Sequence, residues 1–225
     1  MTLEQKIKTK IKEYGAISFS EFMKFALYDE TEGFYAHGGA GRKKDFITSP
    51  EVGPLFGKLI SQAIDKCWIE FGKPSHFTFL ECGAGPGTLA KSILRSQMQC
   101  KDALKYIAVE SSSQQSQTHP STVQTLSTMP KEIEVGIIFA NELLDNLPFD
   151  IFESQNDGSW LEVKITVDDE NISETLIPNN EKAPPYTLET PNVRVPVQRE
   201  AQKWLKDALK ILHNGQIIVC LLYTS

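Results

Sequence analysis

The stretch Phe77–Leu94, FTFLECGAGPGTLAKSIL, joins an apolar run, an acidic residue, three alternate glycines and a segment of helical character. This order predicts a β-strand, a tight turn and an α-helix, the unit from which parallel α/β sheets are built. Glycine loses more backbone entropy on folding than any other residue. The three glycines Gly83, Gly85 and Gly87 therefore indicate unusual dihedral angles or close approach of a ligand, and we call residues 83–87 the glycine turn.

The alternation of strands and helices continues along the chain after the glycine turn. The predicted strands are residues 77–82, 106–110, 123–126, 135–140 and 216–222, with helices at 88–96 and 197–213. Asn214 and Gly215 are expected to end the second of these helices. Such a pattern predicts an α/β fold with a doubly wound, Rossmann-like parallel sheet. Because a sheet that stops at its fifth strand lacks a finished edge, we expect C-terminal strands to be missing from this chain.

The first 75 residues are predicted to form a helical extension in front of the sheet. Two helices are expected to begin at Thr2 and Ser18 with capping boxes, in which side chains satisfy free backbone N–H groups. Residues 29–47 are rich in glycine and charge, which predicts a loop or lid. Ser49 is the expected N-cap of a long amphipathic helix, with Pro50 at its first position.

Residues 149–196 are predicted to be an insertion after the fourth strand. Residues 149–153 and 160–168 alternate apolar and polar side chains, and the turn residues 156–158 between them predict a β-hairpin. The Pro- and Asn-rich run 178–191 predicts a loop. The expected domains are residues 1–75 and residues 76–225, the second being incomplete and carrying the insertion.

Composition and charge narrow the classes of function. The chain has 225 residues, of which 40% are hydrophobic. No apolar run of about 18 residues is present, so no membrane span is expected. The formal net charge of -6 disfavours nucleic acid as a partner, since nucleic-acid binding relies on clustered Lys and Arg. The four cysteines and four histidines lack metal-ligand spacing, which predicts reduced thiols and no metal.

The first ten residues, MTLEQKIKTK, give an expectation about location. They contain neither the apolar core of a secretory signal nor an arginine of the kind found in mitochondrial presequences. The sequence therefore predicts a cytoplasmic protein.

The glycine turn permits two cofactor interpretations. Read from Glu81, E-x-G-x-G-x-G matches the first motif of S-adenosylmethionine (SAM) methyltransferases. Read from Gly85, G-x-G-x-x-A satisfies the dinucleotide fingerprint, with Glu110 placed for a ribose. A carboxylate at position 81 would repel a pyrophosphate but suits the cationic amino group of a methionine moiety. SAM is therefore favoured over NAD, and an NAD-dependent oxidoreductase or a merely tight strand–helix connection stays an alternative.

Further polar residues follow later strands of the predicted sheet. Glu110 ends the run YIAVE, where a carboxylate can accept hydrogen bonds from both hydroxyls of a ribose. Asn141, Glu142 and Asp145 follow the fourth strand, at the carboxyl edge where open α/β sheets bind ligands. Because they bring two carboxylates to the expected position of the methyl group, they are the candidate catalytic residues. The alternative is an acid-rich first turn of a helix.

Three segments together resemble the MidA/NDUFAF7 family of SAM-dependent methyltransferases. They are DFITSPEVGPLFG (Asp45–Gly57), LECGAGPGTLAKSILR (Leu80–Arg95) and FANELLDNLPFDIF (Phe139–Phe152). The resemblance covers most of the chain up to about Phe152. It implies a class I methyltransferase fold, SAM as cofactor and an arginine-bearing protein as substrate. Mitochondrial members of the family are linked to assembly of respiratory complex I and methylate an arginine of one of its subunits.

The resemblance also implies roles for individual residues. The cofactor residues are Glu81, Gly83, Gly85 and Gly87 in the turn, Glu110 at the ribose, and Thr48, Ser49 and Pro50 at a helix start. Glu142, and next Asp145, would orient the guanidinium, with Asn141 beside them. The chain departs from the family at Lys44, where a glycine is usual, and at its last residues CLLYTS. A SAM-binding assembly factor without turnover stays a further alternative.

Overall fold

The computed structural model describes residues 1–36 and 53–221. Thr48, Ser49 and Pro50 lie outside the described residues, as do Lys44 and most of the predicted lid. The predicted start of the long amphipathic helix at Ser49 and Pro50 is wrong, because that helix begins at Pro54 with Gly53 as its N-cap. By its internal contacts the chain divides into two compact units. The first comprises Met1–His37 and Leu147–Lys203, and the second comprises Gly38–Asn146 and Trp204–Ser225.

Helices and strands both occur along the whole of the described part of the chain. They are α1 (Leu3–Tyr14), β1 (Ile17–Ser18), α2 (Phe19–Tyr28), α3 (Pro54–Glu70), β2 (Phe77–Cys82), α4 (Thr88–Arg95), β3 (Leu104–Val109), α5 (Ser113–Ser116), β4 (Gln124–Leu126), β5 (Ile133–Asn141), β6 (Asp150–Ser154), β7 (Trp160–Asp168), β8 (Asn171–Pro178), β9 (Arg194–Val197), α6 (Arg199–Ile211) and β10 (Leu212–Cys220). None of these helices is long and apolar enough to cross a membrane.

The second unit contains a parallel sheet with the strand order β10-β5-β2-β3-β4. Every pairing in it is parallel. The chain moves outward in one direction from β2 to β4 and then crosses back to β5 on the other side of β2. The carboxyl end of β2 is therefore the switch point at which open α/β sheets bind ligands. The predicted α/β, doubly wound fold is confirmed.

Both faces of this sheet are buried, as its near-continuous apolar strands require. Phe79 and Phe139 belong to the core on one face, which also includes buried residues of α3 and α4 such as Ile64 and Ile93. Leu80, on the other face, belongs to a second core with residues of α6. Neighbouring residues of β2 thus pack on opposite faces, so the strand is held rigidly from both sides.

The predicted end of the last helix at Asn214-Gly215 is wrong, because both residues lie within β10. Gly215 pairs with Gly136 of β5, and Gly136 pairs with Thr78 of β2. A Cβ atom added at Gly215 would lie 1.9 Å from the Gly136 carbonyl oxygen, and one at Gly136 would lie 2.0 Å from the Thr78 carbonyl oxygen. These glycines therefore allow close approach of neighbouring strands, and sequence alone did not distinguish this role from a helix stop.

The first unit contains an antiparallel sheet in which β7 pairs with β1, β6 and β8, and β6 also pairs with β9. The predicted hairpin of β6 and β7 is confirmed, with Gly158 at a φ of 78° in its turn. The strands β8 and β9 were not predicted. The β7–β8 turn has Asp169 and Glu170 at positive φ, and Glu170 stands where glycine is usual. In β9, Pro196 obscured the strand signal, although an edge strand tolerates proline.

Both predicted capping boxes are present at the helix starts. At α1 the Thr2 side chain accepts from the Gln5 amide, and the Gln5 side chain accepts from the Thr2 amide. The same exchange joins Ser18 and Glu21 at α2. The N-terminal helices belong to the unit that holds the insertion, and Ile17 of β1 pairs with β7. The domain boundary at residue 75 was placed by sequence order, and it stays a prediction.

Candidate functional site

The glycine turn connects β2 to α4 at the switch point of the parallel sheet. Its three glycines have φ values of 72° at Gly83, 54° at Gly85 and 72° at Gly87, all in the left-handed region that favours glycine. A Cβ atom at Gly87 would lie 2.9 Å from Cδ2 of His119. One at Gly83 would lie 3.1 Å from Cδ1 of Leu143. The unusual dihedral angles expected from the sequence are therefore present, and the turn has little space for side chains.

The carbonyl groups of the glycine turn are bound by neighbouring side chains. His119 Nε2 lies 2.7 Å from the Gly85 carbonyl oxygen. Lys91 Nζ and Thr118 Oγ1 donate to the Pro86 carbonyl oxygen over 2.9 Å and 2.8 Å. Because these contacts come from two different segments, they hold the turn in one conformation.

The contact between His119 and Gly85 determines the imidazole tautomer. A carbonyl oxygen only accepts hydrogen bonds, so His119 Nε2 carries a proton in this arrangement. Its Nδ1 lies 2.9 Å from Thr125 Oγ1, a hydroxyl that can donate to it. The sequence did not indicate a role for His119, because it lies in the polar run 111–121, which has no helical or strand periodicity. In addition, 34 residues separate it from Gly85, its partner.

Glu110 reaches the glycine turn with both carboxylate oxygens. Its Oε2 accepts from the Gly85 amide over 2.8 Å, and its Oε1 accepts from the Ser112 amide over 2.7 Å. A carboxylate offers about four acceptor positions, so hydroxyl groups can still donate to it. The Gly85 amide, in contrast, already donates to this carboxylate and is therefore not a free donor for a pyrophosphate oxygen.

Glu81 is buried at the carboxyl end of β2, with 4% of its surface exposed. The hydroxyl of Tyr106 on β3 donates to Glu81 Oε2 over 2.6 Å. Burial raises the pKa of Glu81 to about 7; the Tyr106 hydrogen bond opposes this rise and the negative charge of Glu110 adds to it. The buried carboxyl group is therefore close to its titration point at neutral pH, and a cation beside it would favour the ionised form.

The segment after β5 has a strained backbone. Glu142 has a φ of 51°, which is uncommon for a residue with a Cβ atom. Two contacts hold it there, since its amide donates to the Cys220 carbonyl over 2.8 Å and its carbonyl accepts from Asn146 Nδ2 over 2.7 Å. No α-helix begins at this segment, so the alternative of an acid-rich first helical turn does not apply.

The three candidate catalytic residues differ in their surroundings. Asn141 Nδ2 lies 3.3 Å from Glu142 Oε1. Asn141 Oδ1 is buried and has no hydrogen-bond partner within the part of the chain that the structure describes. Asp145 is exposed. Since the side chain of Leu143 approaches Gly83, the structure brings this segment beside the glycine turn.

All four cysteines are free thiols. Among residues 1–36 and 53–221, no group of three or more His, Cys, Asp or Glu side chains is arranged to hold a metal ion.

Known proteins that this chain is similar to are named as methyltransferases. Residues 59–220 match the model of a family described as S-adenosyl-L-methionine-dependent methyltransferase. The rat protein arginine methyltransferase NDUFAF7, mitochondrial, is 32% identical over 194 residues, which cover 71% of this chain and 44% of the relative. The zebrafish (Danio rerio) protein of the same name is 30% identical over 73% of this chain and 47% of the relative. The chain thus spans less than half the length of these curated relatives.

Two crystal structures from Burkholderia thailandensis are similar in fold. One is a COG1565 superfamily member bound to S-adenosyl-homocysteine; the TM-score is 0.77 at 22% identity, covering 93% of this chain and 59% of that chain. The other is a native COG1565 superfamily structure with a TM-score of 0.76, 22% identity, and coverage of 93% of this chain and 58% of that chain. This likeness shows the fold that the sequence predicts.

The prediction of a cytoplasmic location is wrong. The rat and human relatives are named as mitochondrial proteins. The prediction relied on the composition of the first ten residues, and that composition does not identify the compartment of these relatives.

Proposed function

The chain belongs to a family of S-adenosyl-L-methionine-dependent methyltransferases, and from this premise we propose that it binds SAM at the glycine turn and methylates an arginine side chain of a protein. The relatives with the name protein arginine methyltransferase support the choice of acceptor. The resemblance to the MidA/NDUFAF7 family further suggests an acceptor in respiratory complex I. Because the chain spans only part of these relatives, activity, substrate and partner are all part of this proposal.

The observation that carries the proposal is the buried carboxyl group of Glu81 directly before the glycine turn. A dinucleotide would bring a pyrophosphate to this end of β2, and an ionised carboxylate would repel it. The methionine moiety of SAM would instead bring an ammonium group, which attracts the carboxylate. The donation of the Gly85 amide to Glu110 supports the same choice over NAD.

The remaining cofactor roles follow from position. Gly83 and Gly87 let the backbone approach the ligand, and Glu110 would accept hydrogen bonds from the ribose hydroxyls while it holds Gly85. The segment 48–50 remains our candidate for the carboxylate of the methionine moiety, as the resemblance to the family implies. These residues suit a ligand with one cationic and two hydroxyl groups.

The bound cofactor supplies an activated methyl group on a sulfonium, so the protein mainly has to orient the acceptor and exclude water. A guanidinium has a pKa above about 12, so a carboxylate must orient it and offset charge as a proton leaves. We assign this role to Glu142, whose backbone is held at positive φ by two contacts. The buried Asn141 Oδ1 would accept a hydrogen bond from the same guanidinium. The exposed Asp145 is the second candidate for the carboxylate that orients it.

Calorimetric titration with SAM, S-adenosylhomocysteine and NAD tests the cofactor class. We expect binding of the two sulfur ligands and none of NAD; binding of NAD alone would overturn the proposal. Glu81→Gln is expected to weaken binding of the sulfur ligands. Glu132→Gln is the matched control, because its side chain is exposed directly before β5.

A methyl-label transfer assay on cell extract tests whether the protein is an enzyme. We expect labelled protein with the wild type and a loss of label with Glu142→Gln. Binding of SAM without any transfer would instead identify a SAM-binding assembly factor, and the proposed activity would be wrong.

A further inference from the structure

We propose that Tyr106 is a positioning residue that stabilises the ionised form of Glu81 for the ammonium group of the cofactor and so sets the pH range in which the cofactor binds. This inference rests on the proposed function, since it assumes a cofactor with a cationic amino group at Glu81. It concerns a residue outside the motifs that identify the family.

The contact between the two side chains is built by the pairing of β2 and β3. Tyr106 pairs with Phe79, two residues before Glu81, and their rings pack with centroids 5.1 Å apart. This packing fixes the buried phenol so that its hydroxyl reaches Glu81 Oε2 at 2.6 Å. A phenol has one proton to donate, and a carboxylate accepts it better than a neutral carboxyl does. The hydrogen bond therefore favours the ionised form of Glu81.

The surroundings of Glu81 otherwise oppose ionisation. Burial and the charge of Glu110 both raise its pKa, and the Tyr106 hydrogen bond is the interaction that lowers it. On the same strand, Cys82 has a thiol whose pKa is raised to about 12, so it stays neutral. On β5 the residue opposite Glu81 is the apolar Phe139. Within residues 1–36 and 53–221 no ion pair offsets the charge of Glu81, so the phenol has no substitute there.

Tyr106 itself remains protonated across the relevant pH range. Burial and the neighbouring Glu81 raise its pKa well above the usual value. The pair therefore titrates through the carboxyl group, and the phenol acts as a permanent donor. Loss of this donor changes the pH at which Glu81 ionises without changing the charge of the neighbouring groups.

The sign of the effect follows from the charge of the ligand. An ammonium group binds the ionised carboxylate, so the contribution of Glu81 to affinity is full above its pKa and is lost as the pH drops through it. The fall approaches about tenfold per pH unit below the pKa. The amino group of the ligand titrates in the same way with every variant, so it does not alter the comparison. In Tyr106→Phe the pKa of Glu81 rises further, which moves the whole curve to higher pH. Above both pKa values the affinities of variant and wild type converge.

The test is titration of S-adenosylhomocysteine from about pH 6 to about pH 9, a range that brackets the expected pKa. The proteins are the wild type, Tyr106→Phe, Glu81→Gln and the double variant. We expect Tyr106→Phe to weaken binding near neutral pH, by roughly tenfold for each pKa unit of the rise, and to match the wild type at the alkaline end. In the Glu81→Gln background, where position 81 no longer titrates, Tyr106→Phe should not change the pH dependence of binding.

Two results would contradict the inference. One is an equal loss of affinity at every pH in Tyr106→Phe, which a structural role would produce. The other is the same loss in the Glu81→Gln background. Should Tyr106→Phe fail to fold, 3-fluorotyrosine at position 106 provides the opposite change: a stronger donor should move the curve to lower pH, and an unmoved curve would reject the role.

A failure of the proposed function looks different. If the folded wild type binds no S-adenosylhomocysteine at any pH, the cofactor assignment is wrong. If the wild type binds it and only the pH curves of wild type and Tyr106→Phe coincide, the cofactor assignment survives and the role of Tyr106 is wrong.

Discussion

Replacing Glu81 with glutamine should give a free energy of unfolding that increases, relative to that of the wild type, as the pH rises. Burial raises the pKa of Glu81 from 4.5 to about 7 in the folded protein. Between these values the folded state binds a proton that the unfolded state has released, so stability falls as the pH rises. Above about pH 7 the native protein contains an ionised carboxylate whose burial is unfavourable, and glutamine removes this charge while its amide oxygen can still accept from Tyr106.

The magnitude follows from the two pKa values. One pKa unit corresponds to about 1.4 kcal/mol, which gives a total cost of about 3 kcal/mol well above neutrality. About 2.5 kcal/mol of this cost develops between pH 5 and pH 8. The new buried amide carries its own cost, but that cost does not depend on pH. The quantity to compare is therefore the change in free energy of unfolding with pH.

Urea unfolding of both proteins at several pH values between 5 and 8 measures this quantity. We expect the stability of Glu81→Gln minus that of the wild type to grow by about 2.5 kcal/mol over this range. Glu132→Gln, at an exposed carboxylate directly before β5, should show no such growth. If the two stability curves of wild type and Glu81→Gln run parallel, Glu81 titrates at its ordinary pKa and the electrostatic account of the site is wrong.

Four further substitutions test other parts of the account. Gly87→Ala places a Cβ atom at positive φ and 2.9 Å from His119, so it should cost about 1–2 kcal/mol of stability and weaken S-adenosylhomocysteine binding at least tenfold by calorimetry. Gly158→Ala, also at positive φ but with its nearest contact at 3.8 Å, should show a similar cost in thermal unfolding with unchanged binding. Glu142→Gln should bind SAM as tightly as the wild type, and loss of binding would move this residue from catalysis to the cofactor site. Gly136→Ala should lower stability by about 3 kcal/mol or more, since β2 approaches too closely for a side chain; a normal urea midpoint would refute the strand pairing.

The sequence predicted the features that depend on neighbouring residues. The strand, turn and helix around Gly85 and the capping boxes at Thr2 and Ser18 are local patterns, and the structure has all of them. The same local logic failed at Gly215, because a glycine that ends a helix and a glycine that lets two strands approach look alike in sequence. Local patterns therefore predicted the glycine turn, but they did not predict that Gly215 allows two strands to approach each other.

The contacts that complete the candidate site are long-range, and no sequence pattern indicated them. Tyr106 lies 25 residues from Glu81, and its phenol was indistinguishable from any aromatic residue of a buried strand. His119 reaches the glycine turn from a polar run without periodicity. The left-handed backbone of Glu142 depends on Cys220 at the end of a distant strand. The motif residues could be found in the sequence, whereas the groups that hold and tune them require the fold.

Mass spectrometric detection of methylated arginine tests the central claim most directly. Cell extract would be incubated with isotopically labelled SAM and either the wild type or Glu142→Gln. We expect labelled methyl groups on arginine residues of an extract protein with the wild type, and none above background with the variant. Equal labelling by both proteins, or no labelled arginine although the wild type binds SAM, would contradict the assignment as a protein arginine methyltransferase.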